Sequence, residues 1–113
     1  MEINKKGKRH LKFNGVQFLW CVRPDDVSGD SWLNIVSDKK DIYLKYRINQ
    51  IDDNFINPTV FIEKSDKLKI GTYRFFPPFS DEIVSSYVVS QILKWYYNQD
   101  SSIKPIKLSI HMK

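Results

Sequence analysis

One stretch constrains this chain more than any other. From Ser80 to Asn98, SDEIVSSYVVSQILKWYYN is the segment long enough for a sustained helix, and strand-like stretches flank it on both sides. Its β-branched residues favour a strand by propensity, so periodicity has to decide. Glu82, Ser86, Ser90, Lys94 and Asn98 recur every fourth residue and make one polar row along a helix. Ser80 is a good N-cap, Asp81 and Glu82 fall in the first turn, and Lys94 lies near the end, all complementing the helix dipole. Phe79 and Val84 have the spacing of a hydrophobic staple, and Pro77-Pro78 stop whatever strand precedes. Ile83, Val84, Tyr87, Val88, Val89, Ile92, Leu93, Trp95 and Tyr96 fill most of the remaining circumference, a wider apolar stripe than a surface helix carries. The pattern predicts a helix wedged deep against a sheet with only the polar row in water, Val88 buried and Ser90 exposed.

The sheet is written in the rest of the chain. Asn14-Gly15 between apolar alternations is a strong hairpin signal, and a two-residue turn sets Phe13 opposite Val16, Leu11 opposite Phe18 and Arg9 opposite Trp20. Leu11, Phe13, Val16, Phe18, Trp20 and Val22 then share one face, with His10, Lys12, Gln17, Leu19 and Cys21 on the other. After a turn-rich loop from Arg23 to Asp30, strands are predicted over Ser31–Val36, Ile42–Ile48, Thr59–Lys64 and Leu68–Phe76. In the second of these Ile42, Leu44, Tyr46 and Ile48 alternate with Tyr43, Lys45 and Arg47. Beyond the helix, Gln99–Lys104 reads as a linker, and Ile106, Leu108, Ile110 and Met112 alternate with Lys107, Ser109 and His111 in a last strand. The expected fold is α+β: a curved antiparallel sheet or roll of six to seven strands packed on one long helix near the C-terminus. Trp20 and Trp32 are expected in its core, where each buried indole is worth roughly 2–3 kcal/mol.

With 113 residues the chain makes one domain, residues 9–113, preceded by a flexible basic arm over 1–8. An apolar fraction of 42% with 14% aromatics argues against disorder. Eighteen basic against thirteen acidic residues give +5, a charge that suits an acidic partner and also suits solubility. Cys21 is the single cysteine and forms no intramolecular disulfide, no apolar run follows the N-terminal lysines, and no segment is apolar enough to span a membrane. The expectation is a cytoplasmic protein without a membrane partner.

The residues that bear chemistry are few. Arg9, His10, Lys12, Tyr43, Lys45 and Arg47 form a candidate basic surface, cations for phosphates with an aromatic for stacking. The same residues serve equally as a solvated sheet face guarding against edge association. Asp25, Asp26 and Asp30 in one loop, with Asp52-Asp53 in another, carry oxygen ligands for a hard cation but lack the EF-hand spacing, and aspartate is also a turn former. Cys21 with His10 or His111 lacks the third group that orients a catalytic base, and one cysteine with two histidines falls short of a structural zinc set. Four glycines form no phosphate loop and no nucleophile elbow. No catalytic residue, metal or cofactor is therefore expected. Phe75, Phe76, Phe79, Trp95, Tyr96 and Tyr97 bracket the helix ends and form a candidate protein interface, since one helix on one sheet has difficulty burying them all.

The NGVQFLWCVRP segment (Asn14–Pro24), the Ser80-led helix after a proline-containing loop and the terminal KPIKLSI strand resemble a group of small uncharacterised bacterial proteins. These carry an NG-x-aromatic-x-W-x-VR hairpin and a serine- or threonine-capped helix. The likeness covers about a third of the chain, departs in its lysine- and asparagine-rich middle, and implies no activity. The expected function is a non-enzymatic protein-binding module of bacterial or phage type, inhibitor- or immunity-like. The alternative is a nucleic-acid-binding domain using the basic arm and sheet face. Strand order discriminates the two, because it decides whether His10, Lys12, Lys45 and Arg47 form one surface.

Overall fold

The computed structural model describes residues 8–24, 29–48, 50, 58–75 and 84–108, with 107 and 108 as backbone alone. The elements are β1 (Arg9–Phe13), β2 (Val16–Pro24), β3 (Ser31–Ser37), β4 (Tyr43–Arg47), β5 (Thr59–Lys64), β6 (Gly71–Arg74), α1 (Ser86–Tyr97) and the two-residue β7 (Lys107–Leu108). The strands form one open sheet in sequence order, every neighbouring pair antiparallel. The fold class is α+β, as expected. Short turns leave little alternative, since strands joined by a few residues pair antiparallel with their neighbours in the chain.

The first hairpin has the predicted register, Phe13↔Val16, Leu11↔Phe18 and Arg9↔Trp20. Asn14 and Gly15 turn it with φ 53° and 78°, the left-handed pair that a two-residue turn demands. From there alternation propagates across the sheet. Phe18, Trp20, Leu33, Ile35, Leu44, Tyr46, Val60, Ile62 and Tyr73 point to one face and are buried. Against them lie Val88, Val89, Ile92, Leu93 and Tyr96 of α1, in the same apolar cluster. Trp95 meets Tyr73 and Phe75 edge-on at centroid distances of 6.0 and 5.7 Å, and Tyr97 stacks on Phe13 at 5.9 Å.

The helix is shorter than its sequence pattern. It begins at Ser86, after Val84 and an extended Ser85 (φ −140°, ψ 177°) whose side chain makes no capping bond. Ser80, expected as the N-cap, lies outside the described residues, as do Phe79, Asp81, Glu82 and Ile83. Adjacent Ser85 and Ser86 suit a helix boundary, because serine competes for backbone hydrogen bonds outside a helix. The buried stripe is also narrower: Tyr87, expected inside, is 55% exposed, and Ser90 is half-buried with its hydroxyl donating to the Tyr87 carbonyl at 2.8 Å. Val88 is buried as predicted.

Strand lengths differ where side chains take over backbone partners. The predicted Leu68–Phe76 strand contracts to Gly71–Arg74, because Ser65 Oγ accepts the Lys67 and Leu68 N–H groups at 2.9 Å and holds the preceding residues in a turn. Tyr96 shares a hydrogen bond with that serine hydroxyl at 2.6 Å, fastening the turn to the helix. Lys67 Nζ reaches the Tyr97 carbonyl at 3.2 Å and lies 5.4 Å from the Tyr96 ring centre. Val22 and Ile106, on the apolar side of their predicted alternations, are 42% and 51% exposed. The last strand is described only as far as Leu108. No helix among the described residues is long and apolar enough to cross a membrane.

One placement differs in kind. Trp32, expected in the core, lies on the opposite face. Its partners are Arg23 and Arg47, while Leu33 and Ile35, one residue to either side of Asn34, are fully buried. Because side chains alternate, burying Leu33 and Ile35 sends Trp32, Asn34 and Val36 outward.

Candidate functional site

The face away from α1 is built row by row from the register. His10, Leu19, Val36 and Tyr43 form one row across β1 to β4. Cys21, Asn34, Lys45, Phe61 and Thr72 form the next, across β2 to β6. Arg23, Trp32 and Arg47 form a third, and Thr59 pairs with Arg74 on the same side. Among the described strand residues Glu63 is the single carboxylate. The face is therefore cationic, with aromatic and aliphatic side chains between the cations.

The sequence-predicted basic set is brought together only in part. Tyr43, Lys45 and Arg47 are neighbours on β4. His10 and Lys12 share their face but sit three strands away, roughly 14 Å by inter-strand spacing, with Leu19 and Val36 between. Arg9 is on the other face, since it opposes Trp20. Of the basic arm, Lys8 alone is described.

Two depressions open on this face. One, of about 490 Å³, is lined by Trp32, Lys45, Arg47, Gln50, Thr59, Phe61 and Thr72. The other, of about 250 Å³, has Leu19, Cys21, Val36 and Tyr43 among its lining, with Lys8, Arg23, Lys40 and Lys64 around them. In the first, Lys45 Nζ lies 5.6 Å from the Trp32 ring centre. Gln50 is buried and anchors its wall: Nε2 donates to the Arg47 and Thr59 carbonyls, and Oε1 accepts the Thr59 N–H, each at 2.9 Å. The end of β4, and with it the backbone at Arg47, is thereby tied to the start of β5. In the smaller depression the Tyr43 hydroxyl donates to Asn34 Oδ1 at 2.9 Å. Burial, and then the negative charge of Glu63, raise the Tyr43 hydroxyl above its ordinary value of 10.0 against the opposing pull of Arg23, so it stays protonated and donating at neutral pH.

The aromatic set at the helix ends is placed differently. Phe75 and Tyr96 are buried in the core, and Trp95 and Tyr97 are half-buried with their rings against Tyr73, Phe75, Phe13 and Tyr96. Phe76 and Phe79 lie outside the described residues, as do Asp25, Asp26, Asp52, Asp53 and His111. Among the described residues no group of three histidine, cysteine or acidic side chains gathers to hold a metal. His10 opposes Leu19 rather than Cys21, so the histidine and the thiol are offset along the hairpin.

Sequence reasoning placed Trp32 in the core and passed over Phe61, Gln50 and Arg74. Trp32 and Phe61 were legible from alternation, since each is separated from its nearest buried neighbour by one position. Gln50 carried no signal, because its role exists only where two strands meet. No known protein family, no curated protein and no solved structure matches this chain.

Proposed function

We propose that the chain is a non-enzymatic binding module for single-stranded nucleic acid, held across the open face of the sheet. The single observation that carries this reading is the interleaving of Trp32, Phe61 and Tyr43 with Lys45, Arg47, Arg23 and Arg74 on a face that α1 does not cover. Single strands are gripped in this way: cations follow the backbone while unpaired bases stack on rings. The three rings stand roughly 8–14 Å apart by strand spacing and rise, a span for several nucleotides. A broad sheet offers no helix or narrow ribbon to enter a major groove, so duplex is the poorer ligand.

Lys45 now occupies the ring face that a base would use. An exposed cation–π contact is worth about 0.5–1 kcal/mol, whereas base stacking on an aromatic is worth about 1–3 kcal/mol. The base wins, and the displaced ammonium moves to a phosphate. A protein partner, of the inhibitor- or immunity-like kind, is the second reading; Tyr87, at 55% exposure, is its best anchor.

Fluorescence anisotropy with a labelled single-stranded oligonucleotide tests the first reading. Trp32→Ala and Phe61→Ala are each expected to weaken binding by about 1–3 kcal/mol, with duplex bound less tightly than single strand. Binding that both replacements leave intact, or a preference for duplex, would refute the assignment.

A further inference from the structure

Trp32 has an arginine directly opposite on each neighbouring strand, Arg23 on β2 and Arg47 on β4. The two are held differently. Arg47 is half-buried and its backbone is pinned: its carbonyl accepts Gln50 Nε2 at 2.9 Å, and the next N–H, of Ile48, donates to the Ser31 carbonyl at 3.0 Å. Arg23 is exposed, lines the smaller depression and lies close enough to Tyr43 to act on its hydroxyl.

Lys45 and Arg47 are two residues apart on one face of β4, roughly 7 Å along the strand, and offer a sugar-phosphate backbone two successive cations. A nucleic-acid strand following β4 turns its bases to either side. One side carries Trp32 on β3 with Arg23 beyond it, and the other carries Phe61 on β5 with Thr72 beyond it. Arg23 and Arg47 stand two inter-strand spacings apart, roughly 10 Å. That is about the reach of a nucleotide from its phosphate to the outer edge of its base.

We infer that the base stacked on Trp32 is guanine, its O6 and N7 read by the Arg23 guanidinium. The inference rests on the single-strand reading above and adds to it a base preference at one position. Guanine offers two adjacent acceptors that match the paired donors of an arginine fork. Adenine carries an amino group beside N7, and cytosine carries one at the equivalent edge, so each sets N–H against N–H. Uracil and thymine offer one carbonyl there and meet the fork with a single bond. The amide beside Arg23 is engaged elsewhere: Asn34 Oδ1 accepts the Tyr43 hydroxyl at 2.9 Å, and Nδ2 is turned to the Trp32 carbonyl at 3.4 Å. At the Phe61 position the Thr72 hydroxyl both donates and accepts, so the base there is not selected.

The experiment measures anisotropy of labelled deoxycytidine decamers whose single central base is guanine, hypoxanthine, 7-deazaguanine or adenine. Each is titrated with the wild-type chain and with Arg23→Lys and Arg47→Lys, which keep the charge and lose the fork. The readout is the ratio of affinities between decamers for one protein, which a general loss of binding does not move. Guanine is expected to bind about tenfold tighter than adenine. Hypoxanthine, which keeps O6 and N7, should match guanine, and 7-deazaguanine, which lacks N7 alone, should lose most of the preference. Arg23→Lys should bring the guanine-to-adenine ratio within about twofold of one, while Arg47→Lys weakens every decamer and keeps the ratio. Equal binding of guanine and adenine by the wild-type chain overturns the inference and leaves the single-strand reading standing. So does a ratio that Arg23→Lys preserves, or one that Arg47→Lys abolishes. No decamer binding at all sinks the single-strand reading, and the base preference with it.

Discussion

Trp20 and Trp32 show what a single position decides. Trp20 faces α1, is 7% exposed, and buries an indole N–H that has no hydrogen-bond partner. Trp32 faces outward beneath the Lys45 ammonium. Truncating a core tryptophan loses its transfer energy and leaves a cavity, so Trp20→Ala should cost about 3–5 kcal/mol. Trp32→Ala gives up a half-exposed ring and one cation–π contact and should cost about 1 kcal/mol. Urea denaturation of the two variants measures the difference, and equal losses would place Trp32 in the core after all. The same comparison shows that a binding defect in Trp32→Ala is not unfolding. At Ser37 a buried hydroxyl donates to Asp41 Oδ1 at 2.6 Å and accepts the Asp41 and Ile42 N–H groups, and this bond comes first among the causes that lower the Asp41 carboxyl below its ordinary 3.8. One serine thus closes the β3–β4 turn.

At the scale of elements, α1 is held by packing more than by its own sequence. Its cap is unbonded and its first turn carries no acid. Twelve residues make an isolated helix marginal in water, so its stability comes from Val88, Val89, Ile92, Leu93 and Tyr96. Val88→Asp strands a carboxylate in that cluster and should destabilise by more than 3 kcal/mol, about the upper range for point substitutions. Ser90→Asp gives up a local bond to the Tyr87 carbonyl and should shift stability by about 1 kcal/mol or less. Thermal melts of the pair that moved by equal amounts would mean that the helix is rotated from this phase. The first hairpin needs no such support for its register, because Asn14-Gly15 fixes the turn and both strands agree on which face is apolar.

For the whole molecule the consequence is division of labour between two faces. One face spends its apolar residues on α1, and the other carries the cations and the rings that remain. Binding to a polyanion by such a face releases counterions, so affinity should fall with salt at a slope of about −0.7 per neutralised phosphate on a single strand. Replacing Lys45 and Arg47 by alanine together should reduce the magnitude of that slope by about 1–1.5. Titrations across a range of potassium chloride concentrations give the slope directly. An unchanged slope would move the phosphate contacts elsewhere, to Arg23 and Arg74 or to the arm before β1.

By itself the sequence determined the local matters: the hairpin register through Asn14-Gly15, the alternation of β4, the span of β5, the burial of Val88 and the α+β class. These follow from turn chemistry and periodicity, which act over a few residues. Only the tertiary structure decided what lies beside what. The meander order set Tyr43, Lys45 and Arg47 next to Trp32 and Phe61 while leaving His10 and Lys12 at a far edge and Arg9 on the other face. It tied Gln50 to Arg47 and Thr59 and took Phe75 and Tyr96 into the core. The physical reason is that a strand has two faces of equal standing until a helix covers one. Which aromatic is hidden and which is offered depends on that choice, made by residues far apart in the chain.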